Sequence, residues 1–133
     1  MAASMQIVRE RVKMFKDLDL IALICLMDIE HEGNKNKYDA FSSQFDQWKM
    51  NIKNSGPGTI DLELDSIAPS SSSHNQLLLM LDAVRDRLTS YQETVPATVL
   101  QERCPVEGVK FVDYPVMFLV DTIASLRELL EQA

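Results

Sequence analysis

The stretch LDLIALICLMDI, residues 18–29, is the most hydrophobic part of this chain of 133 residues. Its only charged residues are Asp19 and Asp28, and it is shorter than the roughly 20 apolar residues that cross a bilayer. A helix that is apolar on all sides is buried in a protein core. The stretch therefore predicts a buried core helix, with a central strand as the alternative, and no membrane span.

The residues before this stretch also show helical spacing. Val8, Val12 and Phe15 fall on one stripe, which several basic residues border. No glycine or proline interrupts the chain between Ser4 and His31. We therefore expect either one long helix over about residues 4–31 or two abutting helices.

Three further helices are indicated by apolar spacing and by end signals. One carries an aromatic stripe and stops at NSGPG, one starts at a capping box formed by Ser73 and Gln76, and the last has Pro115 in its first turn. A short helix is also expected to end near Arg103. The stripe of the aromatic helix consists of Phe41, Phe45, Trp48 and Ile52.

The fold class predicted from these elements is mainly α. We expect one domain over residues 1–133, a bundle of about five helices with a serine-rich connector at about residues 68–73. Only four glycines occur, which favours helices over a strand-and-turn design. Candidate strands lie around residues 59–64 and 109–113, and we expect at most one short strand pair from them.

The charge of the chain is unevenly distributed. Residues 1–53 hold eight acidic and eight basic residues, so the whole formal net charge of -7 falls after Lys53. A protein charged in this way repels nucleic acid and anionic membranes and attracts basic partners. We therefore expect a basic protein partner, without direct contact to nucleic acid or to a membrane.

Acidic residues alternate with aliphatic ones in TIDLELD, residues 59–65. In extended backbone, Asp61, Glu63 and Asp65, the acidic triplet, face one way and the aliphatic residues the other. The intervening leucines do not fit the polar loop of an EF-hand. The pattern is typical of a half-buried edge strand with a charged outer face, and such a face can also dock a basic surface. We predict the triplet, with Asp82 and Asp86 on the following helix, as the partner-binding residues.

Signals for chemistry are few. Asp28, His31 and Glu32 share a helix face and are the candidate metal ligands, although di-metal bundles need further carboxylates from other helices. No glycine-rich phosphate loop and no nucleophile motif occurs, so we expect neither a cofactor nor a catalytic site. Cys25 and Cys104 are expected to be reduced thiols, and the N-terminus lacks signal-peptide features, so a cytoplasmic location is expected.

Taken together, these features favour a non-catalytic acidic binding protein that sequesters or inhibits a basic protein. Small immunity proteins and antitoxins that cover the basic active sites of nuclease-type toxins share this profile as a class. The alternative is a small acidic secretion or assembly chaperone, which would be dimeric. A small metal-dependent enzyme is the third hypothesis, and the sequence leaves open whether the chain is a monomer or a homodimer.

Overall fold

The computed structural model describes residues 2–131, and within them the protein is mainly α, as predicted. Five α-helices and two short antiparallel strand pairs make up the described part of the chain. Two 3-10 turns, Lys35–Tyr38 and Leu64–Ser66, lie in the segments that connect the first three helices. In chain order the elements are β1 Ala3–Val8, β2 Arg11–Lys16, α1 Asp17–Gly33, α2 Ser42–Asn54, α3 Ser72–Leu88, β3 Thr94–Val95, α4 Ala97–Arg103, β4 Tyr114–Pro115 and α5 Val116–Glu131.

Helix α1 lies at the centre of the molecule and contacts α2, α3, α4 and α5. Every residue from Leu20 to Met27 is buried, so the helix is surrounded on all sides. A helix that is apolar all round requires such a position. The predicted core helix is confirmed, and the strand alternative is wrong.

The aromatic helix is also confirmed: it is α2, and Phe41 directly precedes its first residue. Phe41, Phe45, Trp48 and Ile52 are each 1% exposed or less. The rings of Phe41 and Trp48 meet edge to face, with centroids 5.3 Å apart, an arrangement that aromatic pairs prefer. Helix α3 begins earlier than predicted, because the Ser71 hydroxyl, rather than that of Ser73, accepts the cap bond from the His74 N–H (3.1 Å).

The prediction for the N-terminal segment was wrong. Residues 3–16 form an antiparallel hairpin of β1 and β2 in place of a helix, and α1 starts only at Asp17. The hairpin turns at Arg9 and Glu10, whose φ angles are 46° and 71°. Two consecutive left-handed residues are the geometry of the two-residue turn that matches strand twist. Both predicted arrangements, one long helix over residues 4–31 or two abutting helices, are therefore wrong for the residues before Asp17, whereas the core helix that follows is confirmed.

The positions predicted for strands were also wrong. Residues 59–63 and 109–113 adopt no regular secondary structure, and the second strand pair joins β3 to β4. Both segments are instead held by a glutamine side chain. The amide of Gln101 donates to the Val109 carbonyl and accepts from the Phe111 N–H, both at 2.8 Å. One side chain thus supplies the two hydrogen bonds that a neighbouring strand would give.

Candidate functional site

The acidic triplet is solvent-facing, as the alternation predicted. Asp61, Glu63 and Asp65 are exposed, whereas Ile60, Leu62 and Leu64 are each 4% exposed or less. The aliphatic side chains anchor the segment to the core. The carboxylates are left at the surface without an edge strand, since Asp61 and Glu63 lie in irregular backbone and Asp65 lies in a 3-10 turn.

Two buried polar residues of β1 hold this segment in place. The Gln6 amide donates to the Ile60 carbonyl (2.8 Å) and accepts from the Leu62 N–H (3.0 Å). The Ser4 hydroxyl accepts from the Ile60 N–H (2.9 Å) and donates to the Asp17 carboxylate (2.5 Å). Sequence reasoning missed Ser4 and Gln6, because they were placed on a helix. Their alternation with Met5 and Ile7 was the available signal for a strand.

A glycine permits the close approach of the segment to β1. Gly58 has a φ of 76°, and a Cβ at this position would lie 3.3 Å from the Ala3 carbonyl oxygen. Its N–H donates to the Asp17 carboxylate (2.8 Å). At the other end, the Asp65 carboxylate accepts from the Arg9 N–H in the hairpin turn (2.9 Å). The segment therefore runs alongside β1 over its whole length.

A surface cavity of about 610 Å³ lies between β1 and this segment, and we call it the acidic groove. Its volume is in the range of about 300–1,000 Å³ that is usual for ligand-binding cavities. All three residues of the acidic triplet line it. The other lining residues are Met5, Ile7, Gly58, Thr59, Ile60 and Ser66.

The hairpin exposes four apolar side chains on its outer face. On its outer face Met5 pairs with Met14 and Ile7 with Val12, and these four residues, the apolar quartet, are between 43% and 62% exposed. Its inner face buries two polar residues, Ser4 and Gln6, together with Val8 and Phe15. A sheet that covers a core normally places its apolar side chains inward. The exposed apolar quartet adjoins the acidic groove, because Met5 and Ile7 belong to both.

The carboxylates of the acidic triplet have no cationic partner within residues 2–131. The Asp61 carboxylate accepts from the Glu63 N–H (2.8 Å), and the Asp65 carboxylate accepts from the Arg9 N–H in the hairpin turn. Neither carboxylate forms an ion pair within residues 2–131. Glu63 has no side-chain partner in this part of the chain. The negative charge of the acidic groove is therefore not neutralised by the described residues.

The other two predicted binding residues lie apart from the acidic groove. Asp82 forms ion pairs with Arg127 (2.6 Å) and Arg85 (3.1 Å), so its charge is already compensated. Asp86 is exposed on the same helix. Neither residue lines the acidic groove, so the structure brings together the triplet but not all five predicted residues.

The candidate metal ligands line a second cavity of about 420 Å³. Asp28 binds Lys49 (3.0 Å) and Arg103 (3.4 Å), and Glu32 also contacts Arg103. The His31 Nε2 lies 2.7 Å from the Ser42 hydroxyl, and burial, followed by the charge of Lys49, lowers the pKa of this imidazole. No group of three or more His, Cys, Asp or Glu side chains within residues 2–131 is arranged to hold a metal ion.

No protein-family model, curated protein or solved structure matches this chain. None of the helices in the described residues has the length and apolar character needed to cross a bilayer. Evidence on function therefore comes from the geometry of the chain itself. The acidic groove and the apolar quartet adjoin one another, because Met5 and Ile7 belong to both.

Proposed function

We propose that this chain is a non-catalytic protein that sequesters a basic protein partner, and that the acidic groove and the apolar quartet form the contact surface. Charged groups steer association and set specificity, whereas buried apolar contacts supply much of the affinity. The two features lie side by side on the hairpin. The partner would therefore present basic residues next to apolar ones.

One observation carries the proposal: the three carboxylates of the acidic triplet line one cavity, and none of them has an ion-pair partner within residues 2–131, whereas several acids elsewhere have one. Asp28 and Asp82 each contact two cationic side chains, and Glu128 binds Lys13 (2.8 Å). Uncompensated charge that lines a cavity is available to a cationic partner. An exposed apolar surface of several adjacent residues also marks interaction sites.

The partner class that fits this chemistry best is a nuclease-type toxin, which would make the chain an immunity protein or antitoxin in the cytoplasm. Nucleases hold phosphate backbones with lysine and arginine, so their active sites attract an acidic protein. Asp86 is exposed but does not line the acidic groove, so the proposed contact surface consists of the acidic triplet and the apolar quartet. The proposed binding involves no cofactor, no membrane and no direct contact with nucleic acid.

The second candidate is a dimeric secretion or assembly chaperone, which the apolar quartet favours. A chaperone needs an exposed apolar surface for its client, and a dimer would bury part of that surface. Light scattering on the purified chain separates the two candidates. A monomer at micromolar concentration favours the immunity protein, and a stable dimer favours the chaperone.

The proposed function is tested with two matched triple variants as affinity baits. D61N/E63Q/D65N neutralises the acidic triplet, and E102Q/E107Q/D121N removes the same amount of charge from exposed acids elsewhere. Both are incubated with lysate of the host cell at about 50 mM and about 300 mM salt, since the higher concentration screens exposed charges. Proteins retained by each bait are identified, purified and assayed for nuclease activity.

We expect a basic protein to bind the wild type and the control variant at low salt. The triplet variant should bind it at least roughly tenfold more weakly, with a flatter salt dependence. Added wild-type chain should inhibit the nuclease activity of that protein. The proposal is overturned if both variants retain the partner equally, or if the recovered partner keeps full activity in the complex.

A further inference from the structure

The edge of β1 that lines the acidic groove carries backbone groups directed away from β2. In a hairpin with a two-residue turn, the residues that flank the turn exchange hydrogen bonds, and such pairs then alternate along the ladder. Val8 pairs with Arg11 beside the turn, so Gln6–Lys13 is also a hydrogen-bonded pair. The N–H and C=O groups of Met5 and Ile7 therefore point away from β2.

This edge is unpaired within the described residues. The sheet contains only β1 and β2, and no backbone hydrogen bond joins residues 3–8 to another segment of residues 2–131. The acidic segment is attached through the side chains of Ser4 and Gln6, which lie on the inner face. It therefore approaches the hydrogen-bonding edge closely at Ala3, beside Gly58, and leaves the backbone groups of Met5 and Ile7 unpaired in this part of the chain. An edge left in this state is a template for another strand.

The faces on the two sides of this edge differ in chemistry. The outer face presents the apolar quartet, and the inner side borders the segment that carries the acidic triplet. A strand added to the edge would alternate its side chains between these two environments. Apolar residues would continue the row of Met5 and Ile7, and basic residues would reach the carboxylates.

We propose that the partner binds by strand addition: an extended segment with alternating apolar and basic residues pairs antiparallel with β1 in the acidic groove. This proposal rests on the proposed function and specifies the part of the partner that is recognised. Backbone hydrogen bonds to Met5 and Ile7 give the segment its register. Charge complementarity with the acidic triplet selects a cationic strand.

A second copy of this chain fits the edge less well. Pairing of β1 with β1 of another molecule would bring two acidic triplets toward one another, and like charges across a strand pair are unfavourable. The triplet accordingly selects against self-association and for a cationic strand. Dimer formation through this edge is an outcome that the experiment below detects.

The probe is a blocked heptapeptide, Lys-Val-Lys-Val-Lys-Val-Lys, with two N-methylated versions. In an antiparallel pair, the residues that exchange hydrogen bonds with Met5 and Ile7 place their side chains on the same face as Met5 and Ile7. In the bound peptide the valines occupy these positions, because their apolar side chains extend the apolar outer face. Methylation of the valine nitrogens should therefore abolish binding, whereas methylation of the lysine nitrogens, which face away from β1, should leave the affinity within about threefold.

Amide hydrogen exchange gives a second readout in the chain itself. The Met5 and Ile7 amides should exchange rapidly in the free protein and at least roughly tenfold more slowly with the peptide bound. The Gln6 and Val8 amides, which bond to β2, should change little. D61N/E63Q/D65N should weaken peptide binding, and E102Q/E107Q/D121N should not.

Equal binding of the two methylated peptides, no binding of the parent peptide, or unprotected Met5 and Ile7 amides would each overturn strand addition. Protection of these amides without peptide, together with a dimeric mass, would assign the edge to a second copy and also overturn it. If the bait experiment still recovers a basic partner that depends on the triplet, the proposed function stands and only the strand-addition proposal fails.

Discussion

Helix α2 and the N-terminal hairpin use apolar side chains in opposite ways. In α2 the aromatic stripe is buried almost completely, and the exposed face is polar apart from Met50. In the hairpin the apolar quartet faces solvent, and the buried face combines Ser4 and Gln6 with only two apolar side chains, Val8 and Phe15. The helix is held by apolar packing, whereas the hairpin is held in part by hydrogen bonds from polar side chains. The outer face of the hairpin is thereby left exposed to solvent.

The largest effect is expected from the aromatic stripe. Trp48→Ala should destabilise the protein by about 3–5 kcal/mol, because it leaves a cavity in a fully buried site. Met50→Ala on the same helix is the control and should change stability by less than about 0.5 kcal/mol, since Met50 is 52% exposed. Urea denaturation measures both. A similar loss for the two variants would contradict the packing described for α2.

Alkaline pH should lower the free energy of unfolding through groups buried in the helical core. Burial, with the neighbouring Cys104 thiol, raises the pKa of Cys25 to about 12. Burial and a hydrogen bond to Glu30 also raise the pKa of Tyr38. Above about pH 9 the unfolded chain releases a thiol proton that the folded chain keeps, so the free energy of unfolding falls as pH rises.

The expected fall is about 1 kcal/mol for Cys25 between about pH 9 and about pH 10. Urea denaturation across this range measures it. Cys25→Ala should flatten the pH dependence even if it lowers stability at neutral pH. If the free energy of unfolding falls with pH as steeply in the variant as in the wild type, the buried thiol does not titrate as its burial indicates.

The protein should be destabilised when a buried polar side chain of the hairpin is removed. Gln6→Ala leaves the Ile60 carbonyl and the Leu62 N–H without their partner, and this should cost about 1–3 kcal/mol, since the site is buried. Gln101→Ala breaks the same pair of bonds at a less buried position, one bond exposed and one part-buried, where water can take the place of the side chain, and should cost less than about 1 kcal/mol. Equal costs would show that burial does not decide the strength of this arrangement.

The sequence predicted the helices and missed the hairpin for identifiable reasons. Helix α2 has an aromatic stripe at helical spacing and a glycine-proline stop, so local signals and burial agree. The hairpin places Val8, Val12 and Phe15 at helical spacing by coincidence, and its turn at Arg9 and Glu10 lacks the Asn-Gly or Asp-Gly signature of such turns. The local sequence therefore does not mark the reversal.

The left-handed turn suggests a stabilising substitution. Glu10 has a φ of 71°, which costs a residue with a Cβ about 1 kcal/mol or more, although glycine loses more entropy on folding. Glu10→Gly should therefore raise stability by about 0.5 kcal/mol, whereas Glu107→Gly, where φ is not positive, should lower it by a similar amount. Thermal unfolding of the two variants checks the sign. A loss at Glu10 would contradict the turn geometry.

The candidate site was only partly accessible from sequence. The alternation in residues 59–65 predicted which side chains are exposed, because aliphatic burial sets that pattern in irregular as well as in strand backbone. It did not predict that Met5 and Ile7 line the same groove, since this depends on a contact across more than fifty residues. Nor did it separate Asp82 from the triplet, because its ion pair with Arg127 of α5 is a tertiary contact.

The smallest effect on stability, and the sharpest contrast with α2, is expected from the apolar quartet. Replacement of Met5 and Met14 by glutamine and of Ile7 and Val12 by threonine keeps β-compatible residues on the outer face. Each change should alter the free energy of unfolding by less than about 0.5 kcal/mol, because about half of each side chain is already exposed to water. Urea denaturation of the quadruple variant, compared with Trp48→Ala, measures the contrast. A large loss would show that the quartet supports the fold, whereas unchanged stability with weaker peptide binding would assign its apolar surface to recognition.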